Sequence, residues 1–154
     1  MSSLFKYVCF CLFIVFSFSV NVIGVGLAGQ LRIDERGELL GVIPNISIQY
    51  EQFNKLRMSH TSGINYELSI SNSNYYSRKE FYLNGQLDGY YLGIGFFDKS
   101  YDNLSFNGIS VGVGYCENGF ISTKDFFYYF KASLDFSSDK EFIFKFGIKK
   151  VFEL

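Results

Sequence analysis

The single histidine of this 154-residue chain lies in the stretch Met58-Ser59-His60-Thr61-Ser62. On an extended backbone His60 and Ser62 share a face, about 6.6 Å apart. An imidazole beside a hydroxyl is the pairing that activates a serine nucleophile: the ring takes the proton while a carboxylate fixes its orientation. No acid stands at a matching spacing, and Asp88 is the only candidate for that role. A polar strand end accounts for His60 and Ser62 equally well, so the balance is against an enzyme and no catalytic residue is assigned.

A second group of chemistry-bearing residues is more numerous. Glu67, Arg78, Glu80, Lys131, Asp135, Lys145 and Lys149, with Arg32, Asp34 and Glu51, recur at alternate positions between apolar residues. Five cations and five anions on one face sum to zero, as an enclosed space requires, because an unpartnered buried charge costs several kcal/mol. In this reading Asp135 and Lys145 are diagonal neighbours on consecutive strands.

Other chemistries lack their residues. Three cysteines are present, and Cys9 and Cys11 fall in an apolar leader, leaving Cys116 without a disulfide partner. One cysteine and one histidine make too poor a ligand set for zinc, so no metal is expected. Gly93-Ile94-Gly95 has no helix after it and is not a phosphate-cradling loop, so no cofactor is expected either. With a net charge of −1 and no basic run, the chain is not a nucleic-acid binder.

These residues sit on a chain with two distinct parts. Val8 to Phe16 is an unbroken apolar run after Lys6, ending in Ser17-Phe18-Ser19 with small residues two apart, the pattern of a secretory signal. The expected leader is residues 1–19, with a later cut up to about 26 and an uncleaved anchor as alternatives. Residues 22–154 then form one domain. Aromatic residues make up 20% of the chain, all Phe and Tyr, and there is one Pro; strands are favoured by such a composition. The two-residue period predicts eight of them, including Val25–Ile33, Ile64–Ile70, Tyr76–Leu83, Ile109–Cys116, Phe126–Phe136 and Phe142–Ile148. Asn84-Gly85 is read as a two-residue hairpin turn. A five-residue loop from Ser137 to Glu141 pairs Phe136 with Phe142 in the same reading.

In a strand such as Gly89-Tyr90-Tyr91-Leu92-Gly93-Ile94-Gly95-Phe96-Phe97 one face is broad and apolar and the other small. An eight-stranded barrel has a narrow interior, which suits Gly93, Gly95, Gly112, Gly114 and Gly147, whereas rows of Phe, Tyr, Leu and Ile would overfill it. The apolar face therefore points out, towards lipid. This predicts an all-β, eight-stranded antiparallel up-and-down transmembrane barrel with a closed, side-chain-filled lumen.

The leader, the dyad-repeat strands GYYLGIGFF and GISVGVGYC and the apolar final strand EFIFKFGIKKVFEL resemble the small eight-stranded outer-membrane barrels of the OmpA and OmpX type, including the general outer-membrane beta-barrel families. The resemblance spans roughly residues 22 to 154. It implies the outer membrane of a Gram-negative bacterium, contact with its lipid, dependence on the barrel-assembly machinery during biogenesis, and a structural or interaction role; it names no protein partner. Separately, the H-x-S spacing of His60 and Ser62 is similar to the catalytic pair of outer-membrane lipid A deacylases, which would make the chain a lipid-facing esterase. A soluble lipocalin-like carrier is the third reading that the alternation allows.

Overall fold

The computed structural model describes residues 19–57, 60–101, 104–117 and 126–154. Eight strands follow one another: β1 (Ser19–Asp34), β2 (Leu39–Arg57), β3 (His60–Asn72), β4 (Tyr76–Leu87), β5 (Tyr90–Tyr101), β6 (Leu104–Cys116), β7 (Phe126–Phe136) and β8 (Glu141–Glu153). Each is antiparallel to the next, and β8 returns to β1 from Val22 opposite Glu153 to Asp34 opposite Glu141, closing the barrel. Closure leaves no free edge, the condition for placing strands in a medium that cannot hydrogen-bond to them. The leader expected over residues 1–19 lies outside the described residues except for Ser19, where β1 begins.

The side chains divide as the two-residue period requires. Leu68, Ile94, Phe96 and Val113 are among many large apolar residues more than half exposed on the outer wall, while Gln30, Arg78, Ser110 and Lys145 are buried inside. This inverts the polarity of a soluble barrel, and it leaves the lipocalin reading without an apolar interior for its ligand. Inside, large rings are laid against glycines of neighbouring strands. A Cβ on Gly95 would meet the Tyr82 ring at 2.7 Å, so that glycine is what lets Tyr82 lie across the lumen. Tyr129 lies in the same way over Gly26 and Gly147. The interior is filled by matched shapes.

The first tight hairpin differs from the expectation. Asn84 and Gly85 lie inside β4, opposite Gly93 and Leu92, and the chain turns at Asp88-Gly89, with Leu87 opposite Tyr90. Both turn residues have positive φ, 49° at Asp88 and 86° at Gly89, as a type I′ hairpin demands. Strand length decides between the two candidates. Turning at Asn84 would leave about eight residues in β4, fewer than the roughly 9–11 a tilted strand needs to cross a bilayer, whereas the observed turn gives β4 and β5 12 residues each. The β7–β8 connection also shifts: Leu134, not Phe136, faces Phe142, and Glu141 becomes the first residue of β8.

The displaced turn is testable. Gly89→Ala forces a side chain into the left-handed region and should cost about 1–2 kcal/mol in urea-dependent folding into vesicles. Gly85→Ala, which meets nothing closer than 3.8 Å, should be close to neutral. A turn at Asn84-Gly85 would reverse that order.

Candidate functional site

The barrel interior is the most elaborate polar site in the described structure. It begins at the rim formed by the turns after β1, β3, β5 and β7. Arg32 on β1 donates two hydrogen bonds of 2.8 Å to Glu141 on β8, with its guanidinium 3.5 Å over the Tyr76 ring. Lys99 on β5 donates to Glu141 at 2.9 Å and lies 3.5 Å from Asp135 on β7. Arg78 on β4 holds Asp135 with bonds of 2.6 and 2.9 Å and reaches Glu80 at 2.5 Å. Glu80 accepts from Lys145 at 2.7 Å; Lys145 stands 3.9 Å from Glu67, and Glu67 accepts from Lys131 at 2.9 Å. The sequence of charges is Arg32, Glu141, Lys99, Asp135, Arg78, Glu80, Lys145, Glu67, Lys131, and the sign alternates at every step.

A separate pair lies nearer the rim that carries the chain termini. Lys149 is bonded to Glu51 and donates to Gln49 at 3.1 Å. Gln49 and Asn84 are joined through Asn65. The end of the chain of charges is closed by a ring, with the Lys131 ammonium 3.0 Å over Tyr82. Among the described residues the lumen buries six cations and five anions. Asp139, in the β7–β8 turn, contributes the sixth anion at 3.0 Å from Lys99. Burial works against the charge on Asp139, but bonds to Lys99 and Tyr101 hold its carboxyl below the usual carboxylate range.

All seven residues of the expected lumen network are buried and ion-paired here: Glu67, Arg78, Glu80, Lys131, Asp135, Lys145 and Lys149. The pairing differs from the expected one. With Lys131 directly opposite Lys145, Asp135 is no neighbour of Lys145; it serves Arg78 and Lys99, and Lys145 serves Glu80. Lys99 and Glu141 were absent from the expected set. Asp34 leaves it, since its carboxylate caps the β1–β2 turn by accepting from the Arg36 and Glu38 amides at 2.9 and 2.7 Å.

His60 and Ser62 stand at the start of β3, and their side chains lie outside the described residues. The register places Ser62 opposite Leu87, next to Asp88 in the following turn. All three candidates therefore share one rim, with Asp88 one strand from Ser62. Cys116 is a free, buried thiol donating weakly to the Glu117 carbonyl at 3.5 Å. Among the described residues no cluster of three metal-ligating side chains exists.

No family model matches the chain, and no curated protein matches its sequence. Among solved structures it is similar to Ail, the attachment invasion locus protein of Yersinia pestis, at 13% identity over 87% of this chain and 99% of that one, with a TM-score of 0.49. Ail in complex with the heparin analogue sucrose octasulfate gives 14% identity over the same shares and a TM-score of 0.40. The outer membrane protein AlkL in lipid bilayers gives 11% identity over 88% of this chain and 91% of that one, with a TM-score of 0.43. With eight closed strands, an apolar outer wall and an ion-paired lumen, the chain has the fold of a small outer-membrane barrel.

Arg78 sits at the middle of the chain of charges, bonded to Asp135 at 2.6 Å and to Glu80 at 2.5 Å. Arg78→Met should cost about 3–5 kcal/mol in vesicle unfolding, the penalty for stranding buried charge. Adding Asp135→Asn to it should recover part of the loss, so that the double variant costs less than the two single changes together.

Proposed function

We propose that the protein is a non-enzymatic barrel of the outer membrane of a Gram-negative bacterium, with a structural or interaction role carried by its outer wall and rims. The observation that supports this reading best is the continuous chain of alternating charges, which fills the lumen with mutually bonded side chains and leaves the apolar face for lipid. Tyr50, Tyr66, Tyr90, Tyr115 and Tyr128 are exposed towards the rim that carries the termini. Such amphipathic rings belong at a membrane–water interface. Lipid is then the standing partner, with the barrel-assembly machinery acting during biogenesis.

A secretory leader ending at or near Ser19 fits this reading better than a cut near residue 26. The later cut would remove Val22 to Gly26 from β1, where they pair with both β2 and β8. The sucrose octasulfate complex is one of Ail. Around the rim of the β1–β2 and β7–β8 turns, Arg36 and Lys140 are set among Glu35, Glu38 and Asp139, which is no surface for a polyanion.

The barrel should require detergent for extraction and migrate faster on a gel when unheated than when boiled. A protein that stays in detergent-free buffer and shows no heat-dependent shift would defeat the membrane reading.

The register that brings Asp88 beside Ser62 keeps an esterase as the second reading. Lipid A and phospholipid incubated with the purified barrel should keep all their acyl chains, and Ser62→Ala should change neither lipid nor fold. A deacylated product that disappears in Ser62→Ala or His60→Ala would make the protein an esterase.

A further inference from the structure

We propose that the outer wall over β7 and β8, at the end nearer the chain termini, holds a glycerophospholipid, with its phosphate on Lys150 and an acyl chain in the groove beside Tyr128. The proposal deepens the membrane-spanning reading above and rests on it. Among the described residues the cations on the outer wall are Lys79 and Lys150, and they differ in what stands across from them. Lys79 faces Asp98 on β5, an opposite charge supplied by the barrel itself. Lys150 faces Val25 on β1 and Phe126 on β7, both apolar.

What surrounds Lys150 is aromatic. Its ammonium lies 5.5 Å from the ring centres of both Phe126 and Phe152, and no carboxylate among the described residues pairs with it. Ring faces attract the charge, but they give its three N–H donors no oxygen acceptor. At a membrane surface the acceptors on offer are water and lipid oxygens, and a phosphate adds opposite charge to the hydrogen bond. The level on the wall is right for it. Tyr128, one of the interfacial rings, stands opposite Ile148, and Phe126 with Lys150 is the next pair on that face towards the termini. A lysine there carries its ammonium among headgroups.

A groove of about 550 Å³ begins beside this position, with Tyr115, Tyr128, Phe130 and Phe146 along it. That volume lies within the roughly 300–1,000 Å³ of ligand clefts. Lys150 is the diagonal neighbour of Tyr128 across β7 and β8, a separation of roughly 7–8 Å. One lipid can therefore lay a chain in the groove and bring its phosphate to the ammonium. Charge sets the number of phosphates. A single ammonium matches a single phosphodiester, whereas a lipid with several phosphates would bring the remainder towards Glu117, which lines the same groove.

The test is native mass spectrometry of the folded barrel from mixed micelles holding equal dioleoyl phosphatidylglycerol, phosphatidylethanolamine and phosphate-free monogalactosyl diacylglycerol. Wild type should retain each phospholipid over the galactolipid by about threefold, the scale of one exposed ion pair. Lys150→Gln should abolish that preference and Lys150→Arg should keep it. Val25→Glu, which sets a carboxylate directly opposite Lys150, should abolish it as well, while Lys79→Gln should leave it unchanged. Equal retention of all three lipids by wild type would overturn the proposal. So would a preference that survives Lys150→Gln, one that Lys79→Gln lowers as much as Lys150→Gln does, or a dimer cross-linked through Lys150. The heat-dependent gel shift of the same sample separates the two readings. A shifted band without phospholipid preference removes the lipid site alone, and loss of the shift removes the membrane barrel with it.

Discussion

Charges enclosed by eight strands must be met by other charges, because so narrow an interior has little space for water. Moving one ion from water into such a space costs several kcal/mol even after relaxation, and a neighbouring ion of opposite sign offsets that cost only when the bonds are close and well directed. The alternating chain from Arg32 to Lys131 answers this by giving almost every carboxylate two cations. Glu80 lies between Arg78 and Lys145, Asp135 between Arg78 and Lys99, and Glu141 between Arg32 and Lys99. These contacts tie β1, β4, β5, β7 and β8 together across the lumen. The network therefore fixes the barrel's cross-section as well as its charge balance.

The same period of two that sends these charges inward sends the apolar rows outward, and this made the architecture readable from the chain alone. Faces survive errors of register as long as the error is even. Moving the hairpin from Asn84-Gly85 to Asp88-Gly89 changes every partner across β4 and β5, yet Phe81 still shares a face with Ile94 and Phe96. The β7–β8 pairing slipped by two residues with the same result. Turn chemistry could not choose between two acceptable dipeptides. The need for a strand long enough to span a bilayer could, and that requirement belongs to the whole barrel.

The residues that escaped the sequence reading show where alternation loses its force. Lys99 follows Asp98 and precedes Ser100, so polar residues occupy both faces and neither side is marked as the interior. Glu141 falls in a loop whenever Phe136 is paired with Phe142, and only the observed pairing of Leu134 with Phe142 brings it into β8. Asp34 failed in the opposite direction: its parity matched the lumen, but two turn amides captured its carboxylate. At strand ends local hydrogen bonding competes with facing, and only the three-dimensional register decides.

A lumen built in this way also limits where activity can reside. Conduction needs sites that bind and release an ion, whereas here most charges already hold partners at 2.5 to 2.9 Å and the gaps between them are occupied by Tyr82, Phe97 and Tyr129. Loosening one pair would expose its partners to a medium that cannot solvate them, so the network resists partial opening. Recognition is thereby left to surfaces that meet water or lipid: the two rims and the outer wall. The outer wall is mostly uniform and apolar, as lipid requires, and a cation set against an anion within it, at Lys79 and Asp98, is a departure from that uniformity.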